Sequence, residues 1–326
     1  MTRVLVTGAS GFVGRATVAA LAQRGFAVRA GLRNLPPSPL PGNIEITELP
    51  DLASAFEWRP LLEGVDLAIH LAAIADSGAG NPALHDRVNR WATERLALAA
   101  AAAGMSRLVF ISSIRAQSGP AADRALTEHD VPAPSDAYGR SKLAAEAAVR
   151  AAGVPFSILR PVSLYGPGVR GNFALLLRAA KSRWPLPIKH FVNRRSLLGI
   201  DNLVSAIEFA LSASAALGET YIVADPGIPP RLADVMTTLR EAQGRRPMIL
   251  PMSKHFVEKP MRLLRPDLWE RLGGNLRADP GKLLAAGWQP LNDTRQGLRA
   301  LIQTTEGSAA SLSRNAMPPS TPTPNT

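Results

Sequence analysis

The sequence predicts an α/β chain: a doubly wound parallel sheet followed by a smaller C-terminal lobe. Three observations carry this. Short apolar runs alternate with helical runs through the first half of the 326 residues, the pattern of a parallel sheet covered by helices on both faces. A glycine-rich turn, TGASGFVG at 7–14, joins the first apolar run to the first helical one. After about residue 165 the pattern loosens into short runs broken by Pro and Gly (GPGVRGN, WPLPI, DPGIPP), which suits a lobe laid against the carboxyl edge of the sheet, where ligands of open α/β sheets bind.

The elements follow in order. VLV at 4–6 reads as a buried strand, and RATVAALAQRG as a helix that Gly25 ends as a C-cap. FAVRAGLR is a second strand and LPPSPLPGN a Pro-rich loop. DLAIHLAA at 66–73 and RLVFISS at 107–113 are further strands, separated by a long Ala-rich helix from Trp91 to Ala103. SKLAAEAAVRAAG is a helix and PFSILRP a strand. The expected division is a dinucleotide-binding domain over 1–165, to which later segments return, a mainly substrate-binding lobe over 166–305, and a tail over 306–326. That tail is Ser/Thr/Pro-rich with little apolar content, so it is expected to be disordered.

Composition narrows the function classes. Hydrophobic residues make up 46% and charged residues 19%, and there is no cysteine, so disulfides and thiolate chemistry are excluded. The N-terminus lacks the long apolar core of a signal peptide, and no run approaches the roughly 18 apolar residues of a membrane span. A soluble, cytoplasmic protein is expected. The net charge is +11, and residues 231–300 carry 13 basic against 7 acidic side chains. No Lys/Arg block or basic–aromatic interleaving accompanies it, so nucleic acid is not expected and phosphorylated small ligands are.

The glycine loop is the first candidate site. Gly8 permits the tight turn, Gly11 lets the backbone approach a pyrophosphate, and Gly14 lets helix and strand pack closely. The helix N-terminus then offers free N–H groups and a positive dipole to phosphates. Ser10, Phe12 and Val13 complete this loop. At the end of the second strand an acidic residue would favour NAD, but the chain reads AVRAGLRN. Arg33, with Arg29 nearby, stands where a 2′-phosphate could be paired, which favours NADP slightly. Arg33 could equally stack on adenine or face solvent. Asp51, followed by Leu52, either accepts from the adenine amino group or caps a helix over DLASAFEW.

DAYGRSKLAAE at 136–146 places Tyr138 and Lys142 one helical turn apart on a single face. A neighbouring ammonium, together with the positive nicotinamide of an oxidised cofactor, favours the phenolate, so Tyr138 is expected to have a lowered pKa there and to exchange a proton with a substrate oxygen. Lys142 can also hold the nicotinamide ribose. Ser113, the last residue of VFISS, is the expected hydrogen-bonding partner of the substrate oxygen, although a serine pair at a strand end can also be a simple cap.

TGASGFVG, HLAA, VFISS, YGRSK and LRPVSLYGPG together resemble the extended short-chain dehydrogenase/reductase family, in its nucleotide-sugar epimerase/dehydratase branch (UDP-glucose 4-epimerase-like). The resemblance covers roughly residues 3 to 300. It implies a Rossmann domain holding NAD or NADP and a C-terminal lobe holding a nucleoside diphosphate sugar. It also implies that Leu71, Ala72, Ala73 and Asn89 lie beside the cofactor and that Pro161 lies near the nicotinamide. GNF matches the position where such enzymes hold the diphosphate through an asparagine, here Asn172. NRRSLLGIDN matches their arginine-bearing strand, so Arg195 would pair with the diphosphate. His70 is expected only to pack. Dimerisation through a helix pair is common in the family, so a homodimer is compatible with it.

The branch hosts epimerases, dehydratases, ketoreductases and decarboxylases. Its 4,6-dehydratases carry an Asp-Glu pair after the strand-end Ser/Thr, where this chain has Ile114 and Arg115, so dehydration is disfavoured. The expected activity is hydride transfer at C4 of a UDP-hexose, as an epimerase or a 4-ketoreductase. Reduction of a non-sugar ketone, as in dihydroflavonol-like reductases, is the second reading, and a non-catalytic dinucleotide sensor the third.

Overall fold

The computed structural model describes residues 1–34, 44–75, 81–169, 171–251, 258–259, 262–264, 269 and 273–315. Seven parallel strands form its central sheet: β1 (Arg3–Thr7), β2 (Ala27–Leu32), β3 (Ile44–Glu48), β4 (Leu67–His70), β5 (Arg107–Ile111), β6 (Phe156–Pro161) and β7 (Glu219–Val223). Their spatial order is β7-β6-β5-β4-β1-β2-β3. The chain runs outward from β1 to β3, then returns to the other side of β1. The switch therefore falls between β1 and β4, and the loops leaving these two strands frame a crevice at the carboxyl edge.

Both faces of the sheet are covered, which is why its strands read as continuous apolar runs. Side chains alternate with the strand period of two. Val4, Val6, Val109 and Ile111 enter one core, with Leu21, Leu203 and Ile207 from helices. Leu5, Ala68, Leu108 and Phe110 enter the other, with Trp58, Leu96 and Val149.

The helices that position the site are α1 (Phe12–Gln23), α2 (Ala92–Ala102), α3 (Ala137–Ala151), α4 (Asn172–Lys181), α5 (Ile200–Ser212), α6 (Leu232–Ala242) and α7 (Thr294–Asn315). A π-helical turn, Asp86–Trp91, precedes α2. The second half of the chain does not stand apart from the first. It supplies edge strand β7, and α5 packs beneath the sheet with Arg107 donating to the Ala210 and Ala213 carbonyls at 2.9 and 2.8 Å. A third core of Tyr165, Phe173, Val235, Leu239 and Leu301 joins α4, α6 and α7. Helix α7 continues to Asn315, ten residues into the tail expected to be disordered. Extending a helix already nucleated at Thr294 avoids a new nucleation cost, although EGSAASLSRN holds three Ser and a Gly. Residues 316–326 lie outside the described residues.

Candidate active site

The glycine loop is built as its spacing implies. Gly8 has φ +70°, and a Cβ there would meet the Ala72 nitrogen at 2.8 Å. A Cβ on Gly14 would overlap the Gly8 carbonyl and lie 2.7 Å from the Ala9 Cα. Gly11 is the N-cap of α1 with no side-chain cap, and no acid stands in the first turn. The first N–H groups of α1 therefore meet a positive dipole uncompensated by side chains. Arg15 closes the loop's outer side by donating to the Ser10 carbonyl at 2.9 Å.

A buried polar ladder holds the two switch-point loops together. Thr7 Oγ1 lies 2.7 Å from His70 Nδ1, and His70 Nε2 lies 2.9 Å from Thr93 Oγ1. The Ala72 N–H donates to Thr7 Oγ1 at 3.3 Å, which fixes the Leu71–Ala73 backbone over Gly8. Burial, with Lys142 nearby, pushes the His70 imidazole down to about 3, so it is neutral and structural, as expected. Asn89 acts as a strut. Its side chain accepts from the Ile74 N–H at 2.9 Å and donates to the Ile74 carbonyl and Ser141 Oγ, both at 3.0 Å. The residue expected beside the cofactor thus spends its amide tying the loop after β4 to α3.

At the end of β2, Arg33 is exposed. Arg29 is not available for a 2′-phosphate. It is buried, paired with Glu45 at 2.9 Å, and donates to the Leu61 and Glu63 carbonyls. Position along the strand explains this, since Arg29 is the third residue of β2 and Arg33 follows its carboxyl end. Asp51 is exposed and its Oδ1 accepts from the Ala53 N–H at 3.0 Å. It caps a turn, not the expected helix, while Leu52 is buried in the second core.

Asp136 caps α3, accepting from the Gly139 N–H at 2.6 Å, and so presents Tyr138 in the first turn. A cavity of about 400 Å³ opens there, lined by Ser113, Arg115, Tyr138, Pro161 and Arg195 among others. Ser113 accepts from the Arg115 N–H at 3.1 Å and shares the cavity wall with Tyr138. In the protein alone the Tyr138 pKa is raised. Burial is the main cause and Asp136 adds to it, against opposing effects of Ser113 and Arg115. Lys142 lies behind the cavity, only 2% exposed, donating to the Ile111 carbonyl at 2.7 Å with its ammonium 4.5 Å from the Phe110 ring centroid. Burial lowers its pKa from 10.5 to about 7, with Glu146 opposing. An amine so poised gives Tyr138 little help without a further partner.

Arg195 forms the far wall. Its guanidinium donates to the Pro120 and Gly274 carbonyls at 3.0 and 3.1 Å, and burial with the nearby Arg115 brings its pKa down to about 10. Two guanidiniums thus face one cavity, and Arg115 is held by Asp136 at 2.5 Å. Asn172 opens α4; its side chain lies outside the described residues. Beneath the cavity, buried Glu146 accepts from Ser112 at 2.6 Å and from Arg160 at 2.6 and 2.8 Å, and Arg160 also bonds Gln117.

The model of the NAD dependent epimerase/dehydratase family matches residues 4–224. The chain belongs to this family. Among relatives, a UDP-glucose 4-epimerase of Vibrio cholerae is 29% identical over 313 residues, covering 92% of this chain and 94% of the relative. A GDP-6-deoxy-D-mannose reductase of Pseudomonas aeruginosa is 27% identical, covering 93% and 97%. Among solved structures, MoeE5 in complex with UDP-glucose and NAD matches with a TM-score of 0.73 at 27% identity, over 94% of this chain and 99% of that one. Sequence reasoning did not assign the network of Glu146, Arg160 and Gln117, nor the cavity role of Asp136. Only the last carried a signal, an aspartate at an N-cap position.

Proposed function

We propose that the chain transfers hydride at C4 of a UDP-hexose, as a 4-epimerase or a 4-ketoreductase. The observation that carries this reading is that Ser113, Tyr138 and Arg195 line one cavity of about 400 Å³. The switch-point crevice fits a dinucleotide, because Gly8 and Gly14 leave no room for a Cβ and the N-terminus of α1 is uncapped by side chains. When bound, the nicotinamide supplies or accepts the hydride. The residues proposed to hold it are the 8–14 loop, Asp51, Leu52, Leu71–Ala73 and Pro161, with Lys142 on the nicotinamide ribose and Asn89 positioning the loop. Arg33 favours NADP.

Ser113 orients the substrate oxygen, and Tyr138 takes its proton on oxidation or returns it on reduction. The raised Tyr138 pKa suits the donating direction. Oxidation needs a second positive charge near the phenol, which the bound oxidised ring brings. Arg195 and Asn172 are proposed to hold the diphosphate, the guanidinium offering two donors to phosphate oxygens. The enzyme is expected in the cytoplasm, and a homodimer would appear as twice the chain mass in sedimentation.

The apolar wall of Phe173, Leu176, Leu232, Val235 and Leu276 favours one alternative, reduction of a non-sugar ketone. Denaturing the purified protein and identifying released dinucleotide by mass separates these. Near-stoichiometric NAD supports the epimerase, and an empty protein preferring NADPH to NADH supports a reductase. Turnover of ketones but of no sugar nucleotide would select the alternative, and no affinity for either dinucleotide would refute all of them.

A further inference from the structure

A basic, apolar surface lies at the far end of α4 and α6 from the cavity. Between Asn172 and Phe191 the chain carries Arg178, Lys181, Arg183 and Lys189 and no acidic residue. All four are exposed, as are Arg245 and Arg246 on the neighbouring segment. The two segments are joined along their backbones. The Leu186 N–H donates to the Met248 carbonyl, the Leu250 N–H to the Leu186 carbonyl, and the Lys189 N–H to the Leu250 carbonyl, at 2.9, 2.9 and 3.2 Å. Arg240, buried beneath, anchors the outer strand by donating to the Trp184 carbonyl at 2.8 Å.

This pairing sorts the side chains. Leu186 and Ile249 pack on the third core. Their neighbours point outward, leaving Met248 and Leu250 each 47% exposed and Trp184 80% exposed. Leu263 and Leu264, 82% and 73% exposed, belong to a turn linked to this surface. Arg262 there lies over Trp269, whose ring meets Phe191 at 5.9 Å. Of the nearby described acids, Glu241 faces Arg295 at 3.7 Å and Glu258 pairs with Arg262 at 2.6 Å.

We propose that this surface docks the protein on an anionic lipid bilayer. Six exposed cations share these paired segments with exposed Met248, Leu250 and Trp184, the combination that seats an aromatic ring at the headgroup level while cations meet acidic lipids. A second copy of the chain would bring the same cations against themselves. Nucleic acid would be met by cations without exposed aliphatic side chains among them, whereas these share their segments with Met248, Leu250 and Trp184. Among the described residues no helix is long and apolar enough to cross a membrane, so the contact is peripheral.

The test is co-sedimentation of the full chain with vesicles of phosphatidylcholine alone or with phosphatidylglycerol added, at low and high salt. The wild type is expected to pellet only with the anionic vesicles, and less at high salt. Each cation near such a surface contributes about fivefold in affinity, so R178Q/R183Q/R246Q together should lose roughly a hundredfold. Trp184→Ala should lose roughly tenfold or more. Both variants should keep dinucleotide affinity. No pelleting, or equal pelleting with neutral vesicles, overturns the proposal without any variant. Binding that ignores Trp184→Ala and is competed by DNA would mark a general polyanion site. A dimer abolished by Trp184→Ala would assign the surface to a second copy; either result refutes lipid docking.

Discussion

Replacing Lys142 by Met should make the protein more stable while disabling it, and the gain should depend on pH. The amine is 2% exposed and its pKa is lowered from 10.5 to about 7 by burial. That difference corresponds to roughly 5 kcal/mol opposing burial of the charged form, at about 1.4 kcal/mol for each tenfold. Above about pH 10.5 the amine is neutral in both folded and unfolded chains and opposes nothing. As pH falls towards about 7 the unfolded chain takes up the proton first, so wild-type stability declines across this window and levels off below it. Met fills a similar volume without charge. Glu146 keeps its two bonds to Arg160, so the substitution leaves no buried carboxylate unpaired. Urea unfolding at several pH values is the assay. The stability difference, Lys142→Met minus wild type, should grow by several kcal/mol between pH 10 and pH 7. A difference that does not change with pH would refute the reasoning, because it would mean that the amine carries no desolvation penalty.

Other outcomes follow from the same structure. Gly14→Ala places a Cβ into the Gly8 carbonyl and should abolish dinucleotide affinity in calorimetry while lowering Tm. Arg160→Met leaves Glu146, which is fully buried, without its main partner; a loss of about 3–5 kcal/mol in chemical unfolding is expected, and a loss under 1 kcal/mol would show that Arg150 suffices. Arg33→Ser should bring the affinities for NADPH and NADH together, each measured by titration, without altering the fold.

The glycine loop was legible because close approach and a positive φ at Gly8 leave the chain no other residue. The Tyr/Lys pair was legible because one helical turn fixes its face once a dinucleotide crevice is present. A parallel sheet followed from the alternation of strands and helices, but β7 did not, since its five residues are framed by turn-rich sequence and pair only with β6, 62 positions earlier in register. The destinations of Asn89, Arg29 and Arg160 were hidden for a related reason. Each makes its bonds to groups distant in sequence, and one polar side chain does not announce which carbonyl or carboxylate it will meet. The rise of the Tyr138 pKa in the protein alone was not legible, because a pair on one helix face says nothing about burial, its largest cause.

Tyr138 is proposed to move the proton, while the glycine loop and its neighbours hold the dinucleotide. Tyr138→Phe tests this most directly, with turnover of a UDP-hexose or its 4-keto form and dinucleotide affinity measured on the same preparation. Turnover should fall by roughly 10²–10⁴ with affinity unchanged. Turnover equal to wild type would contradict it.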